Sequence, residues 1–175
     1  MNYRVLNVAA LLALLVVVAP FVAQAYPGTV GADHTFVVQS GSMEPAIQTG
    51  SVVFVNAVPS SAVQDRISEG DVITYAESGA AATTTHRVVE KHYNGQSVRF
   101  TTKGDANEDV DPEPVYRDEV VGKVMFSIPL VGYVVAFGST RLGWLVMVLL
   151  PVTLLIASEL WTLYQALEPE ESINE

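Results

Sequence analysis

Three short motifs in this sequence carry side chains that together could perform acyl transfer. They are S-G-S-M-E-P at Ser40–Pro45, T-H-R-V at Thr85–Val88 and T-K-G-D-A-N-E-D-V-D at Thr102–Asp111. In that order they supply a hydroxyl, an imidazole and several carboxylates. A serine hydroxyl is too weakly acidic to attack a carbonyl unaided, so it needs a base, and the base needs a group that orients it. The motifs therefore predict a serine hydrolase.

The hydroxyl and the base can each be assigned from their surroundings in the sequence. Ser42 follows an alternating apolar run, which predicts a nucleophile held rigidly at the end of a strand. Of the three histidines, His34 and His92 lie outside the motifs. His86 is predicted to open the longest central strand, between a polar loop and an apolar run. We therefore expect His86 to be the base for Ser42.

The third motif is a cluster of acids whose role is open from the residues alone. Asp105, Glu108, Asp109 and Asp111 lie within seven residues of one another. A single carboxylate is enough to orient an imidazole. A solvated acidic loop is also consistent with the cluster. So is a calcium loop with Asp105, Asp109, Asp111 and Glu113 as ligands, because Ca²⁺ prefers carboxylate oxygens at alternate positions.

As a set, the three motifs resemble the conserved motifs of type I signal peptidases, the S26 family. The similarity is to the archaeal and endoplasmic-reticulum branch, which has S-x-S-M-x-P, a histidine in place of the bacterial lysine, and K-G-D-x-N followed by a second Asp. It covers roughly Phe36 to Val124. The resemblance implies the β-rich signal-peptidase fold and the removal of signal peptides from secretory precursor proteins.

The resemblance also implies a role for each matching residue. Ser42 would be the nucleophile and His86 its general base. Asp111 would orient His86, and Asp105 would be a further acid that braces the site. The hydroxyl of Ser40 and the backbone N–H of Ser42 would stabilise the oxyanion, an effect commonly worth about two to three powers of ten in rate.

Three further residues match the substrate-binding positions of the family. Phe36 and Val38 correspond to the apolar positions that line shallow pockets for small side chains. Met43 would pack beneath the site. The sequence contains no metal-ligand spacing and no phosphate-binding glycine loop, so we expect neither a metal nor a cofactor.

The segment 26–126 is predicted to be the all-β catalytic domain that carries the motifs. Short runs rich in β-branched and aromatic residues predict its strands, at Thr35–Gln39, Ser51–Val55, Asp71–Tyr75, His86–Tyr93 and Ser97–Thr102. Asn94-Gly95 predicts a two-residue hairpin turn. Ser78–Thr85 is small and polar, which favours a loop. No helical periodicity appears before Phe126.

Apolar segments at both ends predict two transmembrane helices around this domain. Residues 1–25 contain an uncharged run of 21 residues, and at about 1.5 Å per residue such a run spans a bilayer core. Residues 142–164 form the second helix, with a buried core helix as the alternative. The A-Q-A at Ala23–Ala25 leaves a cleavable signal peptide open for the first segment. Residues 127–141 are an apolar connector, expected to be a last strand that runs into an interfacial turn, and residues 165–175 are an acidic tail.

Composition limits the partners and the compartment. Among 175 residues, 9 are basic and 19 acidic, giving a formal net charge of -10, and there is no cysteine. Cysteine chemistry is therefore excluded, and the acidity argues against binding nucleic acid. High-salt solubility would explain the acidity, which suggests a halophilic archaeon.

These observations predict a multi-pass protein of the cell membrane whose catalytic domain is extracytoplasmic. Its expected partners are precursor proteins with signal peptides, membrane lipid and other membrane subunits, but not nucleic acid. The alternative function is that of a catalytically inactive, membrane-tethered β-domain that binds or scaffolds other proteins.

Overall fold

The structure is a computed structural model that describes residues 3–76 and 82–167. Residues 78–81 of the predicted Ser78–Thr85 loop lie outside the described residues, as do residues 168–175 of the predicted acidic tail. The chain divides into two compact units. One is Ala23–Val134, and the other combines Met1–Val22 with Val135–Glu175.

The described residues form four α-helices, seven β-strands and one short 3-10 helix. In chain order these are α1 (Tyr3–Ala25), the 3-10 helix Pro27–Val30, β1 (His34–Val37), β2 (Val52–Ala57), α2 (Val63–Arg66), β3 (Val72–Ala76), β4 (Thr83–Tyr93), β5 (Val98–Lys103), β6 (Val115–Tyr116), β7 (Val120–Ile128), α3 (Val131–Gly138) and α4 (Arg141–Leu167).

One antiparallel sheet dominates the unit Ala23–Val134, which confirms the prediction of a mainly β fold. The strand order is β1-β2-β7-β3-β4-β5-β6. Each of the five predicted runs overlaps a strand, although the boundaries differ by one to three residues. β1 ends at Val37, before the predicted end at Gln39. β4 begins at Thr83 instead of His86, because its β-branched threonines pair with β3.

The sequence did not predict β7, although it lies between β2 and β3 and joins the two halves of the sheet. Gly122 interrupts its apolar pattern and hides the strand. The structure requires a glycine there, since a Cβ would lie only 2.1 Å from the carbonyl oxygen of Asn56 on β2. The single-turn helix α2 and the two-residue strand β6 were also missed, because both are too short to show periodicity.

Three clusters of buried side chains hold the sheet together. The largest packs residues of α2 and β3–β7, including Ile73, Val88 and Phe100. A second joins Met43 and Val53 to neighbouring apolar residues of β1, β2, β3 and β7, and a third contains Val52 and Phe54 of β2. Burial alternates along β4, with His86 and Val88 buried on one face. The alternation therefore turns the imidazole of His86 inward.

One helix in the described part of the chain is long and apolar enough to cross a membrane, judged by length and composition. It comprises Arg141–Gln165, with a mean hydropathy of 2.0 over a window that is 6% buried. This low burial does not fit the alternative of a buried core helix. Thr140 caps its N-terminus by accepting the N–H of Gly143 at 2.9 Å.

The remaining predicted segments have the following structure. α1 is a 23-residue apolar helix, but a membrane span there stays a prediction. The connector 127–141 begins with the end of β7 and a short turn, as expected, but continues as the helix α3, which the sequence did not predict.

Candidate active site

Three side chains from the three motifs form a continuous hydrogen-bonded row. Nε2 of His86 lies 3.0 Å from Oγ of Ser42, and Nδ1 of His86 lies 2.7 Å from Oδ2 of Asp111. His86 is 8% exposed, so little water reaches the ring. Ser42 and His86 are 44 residues apart in the sequence, and His86 and Asp111 are 25 residues apart. Its geometry is therefore a product of the tertiary fold.

The partners of His86 determine how protons are arranged in the row. A carboxylate can only accept hydrogen bonds, so Nδ1 of His86 carries the hydrogen and donates it to Asp111. The lone pair of a neutral imidazole is then on Nε2, where it accepts the hydroxyl hydrogen of Ser42. This is the arrangement in which a histidine removes a proton from a serine hydroxyl.

Ser42 lies in a turn between β1 and β2, so the prediction of a nucleophile at a strand end was wrong in detail. The turn is closed by backbone hydrogen bonds from Glu44 to Gly41 and from Ile47 to Met43, at 3.0 and 2.8 Å. The loop of the third motif also contacts Ser42, because Ala106 N–H donates to its carbonyl at 2.9 Å. These contacts fix the backbone and leave the hydroxyl accessible.

Asp111 is held by the strand that precedes its own loop. Its N–H donates to the carbonyl of Thr102 at 2.8 Å, and the hydroxyl of Thr102 donates to its Oδ2 at 2.6 Å. The phenol of Tyr75 donates to the same oxygen at 3.2 Å. Oδ2 of Asp111 thus faces the imidazole of His86 and two hydroxyl groups.

Asp105 has a different partner. Its carboxylate accepts two hydrogen bonds from Arg87, from Nε at 2.8 Å and from Nη2 at 2.6 Å, and Nη1 of Arg87 also donates to the carbonyl of Gly70. Hydrogen bonding to Asp105 raises the pKa of the Arg87 guanidinium above its usual range. In the described part of the chain, Asp105 makes no hydrogen bond to Ser42 or His86.

The acids of the third motif do not converge on a common point. Asp105 is paired with Arg87 and Asp111 with His86, while Asp109 and Glu113 are exposed. Within residues 3–76 and 82–167, no three Asp, Glu or His side chains are grouped as ligands of a metal ion. The described residues therefore provide no cluster of ligands for a calcium ion, as a calcium loop would require.

Ser40 lies beside the hydroxyl of Ser42, with the two Oγ atoms 3.4 Å apart. Ser40 is exposed. Among the residues that the structure describes, no acceptor faces the backbone N–H of Ser42. The two groups that the resemblance assigns to an oxyanion site, the hydroxyl of Ser40 and the N–H of Ser42, are therefore both next to the hydroxyl of Ser42.

A groove of about 690 Å³ opens beside Ser42. Its walls are the stretch 35–40 and the stretch 82–86, which contains the start of β4, and Phe36, Val38 and Met43 all contribute to its lining. β1 is an edge strand, and β4 pairs with β5 only from Arg87 onward. Both walls thus present backbone edges without a strand partner in the described sheet.

Sequence reasoning missed three residues that contact the row or its loop. They are Thr102 and Tyr75, which bind Asp111, and Arg87, which binds Asp105. Arg87 follows His86 directly, and Thr102 begins the third motif, so position in the motifs was the only available signal. Tyr75 has no such signal, since its role depends on how β3 pairs with β4.

A Ser–His–Asp row in a groove of a small antiparallel β-sheet has the geometry of a serine hydrolase. No protein-family model matches the chain, but several curated proteins are similar to it. The catalytic subunit SEC11 of the signal peptidase complex from Neurospora crassa is 35% identical over 124 residues, which is 65% of this chain and 68% of that protein. The chain belongs to this family of signal peptidase catalytic subunits.

Two further relatives carry the same name. The Candida tropicalis protein is 35% identical over 108 residues, and the Colletotrichum graminicola protein is 36% identical over the same length. Each match covers 56% of this chain, and 61% and 59% of the respective relatives, so the chain spans about three fifths of their length. These fungal relatives do not support the halophilic archaeal origin that the acidity suggested.

Proposed function

We propose that this protein is a membrane-bound serine endopeptidase that removes signal peptides from secretory precursor proteins. The observation that carries the proposal is the row from Ser42 through His86 to Asp111 at 3.0 and 2.7 Å. It occurs in a chain whose relatives are named catalytic subunits of the signal peptidase complex. The geometry supports the chemistry of a serine hydrolase, and the names of the relatives support signal peptides as the substrate class.

The proposed reaction begins when Oγ of Ser42 attacks the scissile carbonyl carbon. Nε2 of His86 takes the hydroxyl proton, and Asp111 orients the imidazolium that forms. The N–H of Ser42 and the hydroxyl of Ser40 hydrogen-bond the developing oxyanion. His86 then gives its proton to the leaving amine, which departs with the mature protein and leaves an acyl ester on Ser42. Water hydrolyses this ester with His86 again as base.

The groove beside Ser42 suits an extended peptide of small residues. A segment lying between the edges of β1 and β4 would gain main-chain hydrogen bonds on either side. Phe36 and Val38 lie along one wall and Met43 is 1% exposed beneath it, so apolar side chains line the groove next to the nucleophile. We propose these three residues as the pockets for small side chains.

Asp105 is proposed to brace the site without touching the reacting atoms. Its bidentate pair with Arg87 holds the start of the loop, from which Ala106 N–H reaches the carbonyl of Ser42. The pair therefore supports the backbone of the nucleophile.

The proposed location is the membrane, with α1 and α4 both spanning it and the β-domain on the extracytoplasmic side. The segments are those predicted from the sequence: anchor 1–25, catalytic domain 26–126, connector 127–141, helix 142–164 and tail 165–175. Support comes from the apolar helix Arg141–Gln165. Because the relatives are named as subunits of a complex, other membrane subunits are proposed partners, alongside precursor proteins and lipid.

The decisive experiment uses the full-length protein in liposomes with a precursor that bears an Ala-x-Ala cleavage site. We expect cleavage after that site by the unchanged protein and none by Ser42→Ala, with mass spectrometry locating the new N-terminus. Cleavage by Ser42→Ala at the rate of the unchanged protein would remove the nucleophile. Precursor binding without cleavage by either protein would favour the inactive scaffold.

Topology can be tested with a single introduced cysteine, because the natural chain has none. Gln96 is exposed in the turn between β4 and β5. In intact cells, Gln96→Cys should react with a membrane-impermeant maleimide as fast as it does after lysis. Labelling only after lysis would contradict a β-domain on the outer face of the cell membrane.

A further inference from the structure

We propose that Thr102 and Tyr75 are positioning residues that hold Asp111 in the orientation in which it binds His86. This inference rests on the proposed function, since it concerns how the hydrolytic row is kept aligned. Neither residue would touch the substrate. Thr102 is expected to contribute more than Tyr75, because its contact with the carboxylate is shorter.

Thr102 holds Asp111 at two points. The hydroxyl of Thr102 donates to Oδ2 of Asp111 at 2.6 Å, and the carbonyl of Thr102 accepts the N–H of Asp111 at 2.8 Å. Together these bonds fix both the backbone and the side chain of Asp111 relative to β5. A hydroxyl that donates to a carboxylate makes a short, strong hydrogen bond, and the measured distance falls in that range.

Tyr75 adds a third donor from the other side of β4. Its phenol lies 3.2 Å from Oδ2 of Asp111 and 3.4 Å from the hydroxyl of Thr102. β3 and β5 flank β4 in the sheet, so Tyr75 and Thr102 stand on either side of the strand that carries His86. Oδ2 of Asp111 therefore accepts from donors on three adjacent strands.

Burial makes this arrangement rigid. Thr102 is 0% exposed and Tyr75 is 3% exposed, so water cannot replace either hydroxyl. The β-branched side chain of Thr102 has few accessible rotamers, which further limits movement of its hydroxyl. Without these donors the carboxylate could rotate away from Nδ1 of His86. The imidazole would then lose the contact that fixes its tautomer and its orientation toward Ser42.

A purely structural role predicts a different outcome, and a double-mutant cycle separates the two. Buried hydroxyls need partners in any fold, so their removal can lower stability without any effect on catalysis. If Thr102 acts through Asp111, Thr102→Val should cost activity only while Asp111 is present. Its effect should vanish in Asp111→Ala, because interacting residues are not additive.

The experiment measures precursor cleavage by full-length variants under single-turnover conditions with excess enzyme, so that slow variants remain measurable. Thr102→Val should lower the maximal single-turnover rate constant about 10- to 100-fold, while the enzyme concentration at half-maximal rate changes by no more than about threefold, the pattern of a lost transition-state interaction. Thr102→Ser, which keeps the hydroxyl, should recover most of the rate. Tyr75→Phe should lose about three- to tenfold, in keeping with its longer contact.

Thr101→Val is the matched control. Thr101 is the neighbour of Thr102 on β5, but its hydroxyl faces His92 at 3.4 Å and lies outside the site. This variant should keep the rate of the unchanged protein. If Thr102→Val fails to fold, Thr102→Ser and Tyr75→Phe still test the proposal through their rates in the presence and absence of Asp111.

The proposal is overturned if Thr102→Val keeps full activity, or if it costs the same factor in the Asp111→Ala background. Equal rates for Thr102→Val and Thr102→Ser would also overturn it, because the hydroxyl would then be irrelevant. Failure of the proposed function has another signature, namely that the unchanged protein does not cleave, or that Ser42→Ala cleaves equally well.

Discussion

The loop Gly104–Asp111 has an aspartate near each end, and the two occupy contrasting environments. Asp105 is paired with a guanidinium whose side chain is 34% exposed. Asp111 faces a nearly buried imidazole and two buried hydroxyls. One acid thus binds a permanent cation and the other binds a ring that can gain or lose a proton.

This difference shows how one loop can serve two purposes. The Asp105–Arg87 pair is suited to holding a backbone, since a bidentate pair fixes geometry and does not depend on the protonation of a histidine. The Asp111 end is suited to chemistry, because its partner His86 also contacts the hydroxyl of Ser42. Residue type alone does not separate the two acids, whereas their partners do.

The largest expected effect is the loss of Asp111. Asp111→Ala should reduce kcat by about ten thousand-fold, the cost of losing the orienting acid in the best-studied triad. Asp105→Ala should lose less, because it loosens the loop without removing a group from the row. Precursor cleavage by both variants, with folding checked by circular dichroism, tests the contrast. A greater loss in Asp105→Ala would reverse the two assignments.

The second test uses pH. A protonated imidazole has no lone pair to accept the hydroxyl proton of Ser42, so kcat/KM should fall as pH is lowered, by about tenfold per pH unit once His86 is protonated. A profile without an acid limb would contradict a histidine base.

A smaller effect is expected from breaking the Arg87–Asp105 pair. Arg87→Ala should lower the free energy of unfolding by about 1–2 kcal/mol, within the range for hydrogen bonds to charged groups. In a chain of this size that corresponds to about 2–8 °C in Tm. Because the pKa of Arg87 is raised, the pair should persist at alkaline pH.

A cycle with Asp105→Ala shows whether this loss comes from the pair. The double variant should lose little more than either single one, since each already breaks the same contact. Additive losses in Tm would mean that the two residues act independently, and that the bracing role of Asp105 is wrong.

Local patterns predicted much of the sheet, but not the strand that joins its two halves. The runs that became β2, β3 and β5 have dense β-branched and aromatic residues, and their short-range signal was sufficient. β7 was invisible because Gly122 is needed for close approach to β2, a contact between residues far apart in sequence. Sequence also could not show that β4 extends back to Thr83, since that depends on pairing with β3.

In the candidate site too, local motifs were informative and contacts between distant strands were not predictable. Motif order was enough to nominate Ser42, His86 and Asp111, and the structure brings their side chains into one row, while their catalytic roles remain predictions. The partners of the acids could not be nominated. Thr102 and Tyr75 reach Asp111 only because β3, β4 and β5 are neighbours in the sheet, and no local pattern encodes that order.

The smallest expected effect is that of Asp109, which serves as the internal control for the comparison. Asp109 lies two residues before Asp111 and has the same charge, but it is exposed and has no hydrogen-bond partner in residues 3–76 and 82–167. If partners and not charge decide the role of each acid, Asp109→Ala should keep kcat/KM within about twofold and Tm unchanged, as surface substitutions usually do. A loss comparable to that of Asp105→Ala would mean that the loop works through its collective negative charge. In that case Asp109→Asn should be as damaging as Asp109→Ala, and raising the salt concentration should mimic both by screening the charge.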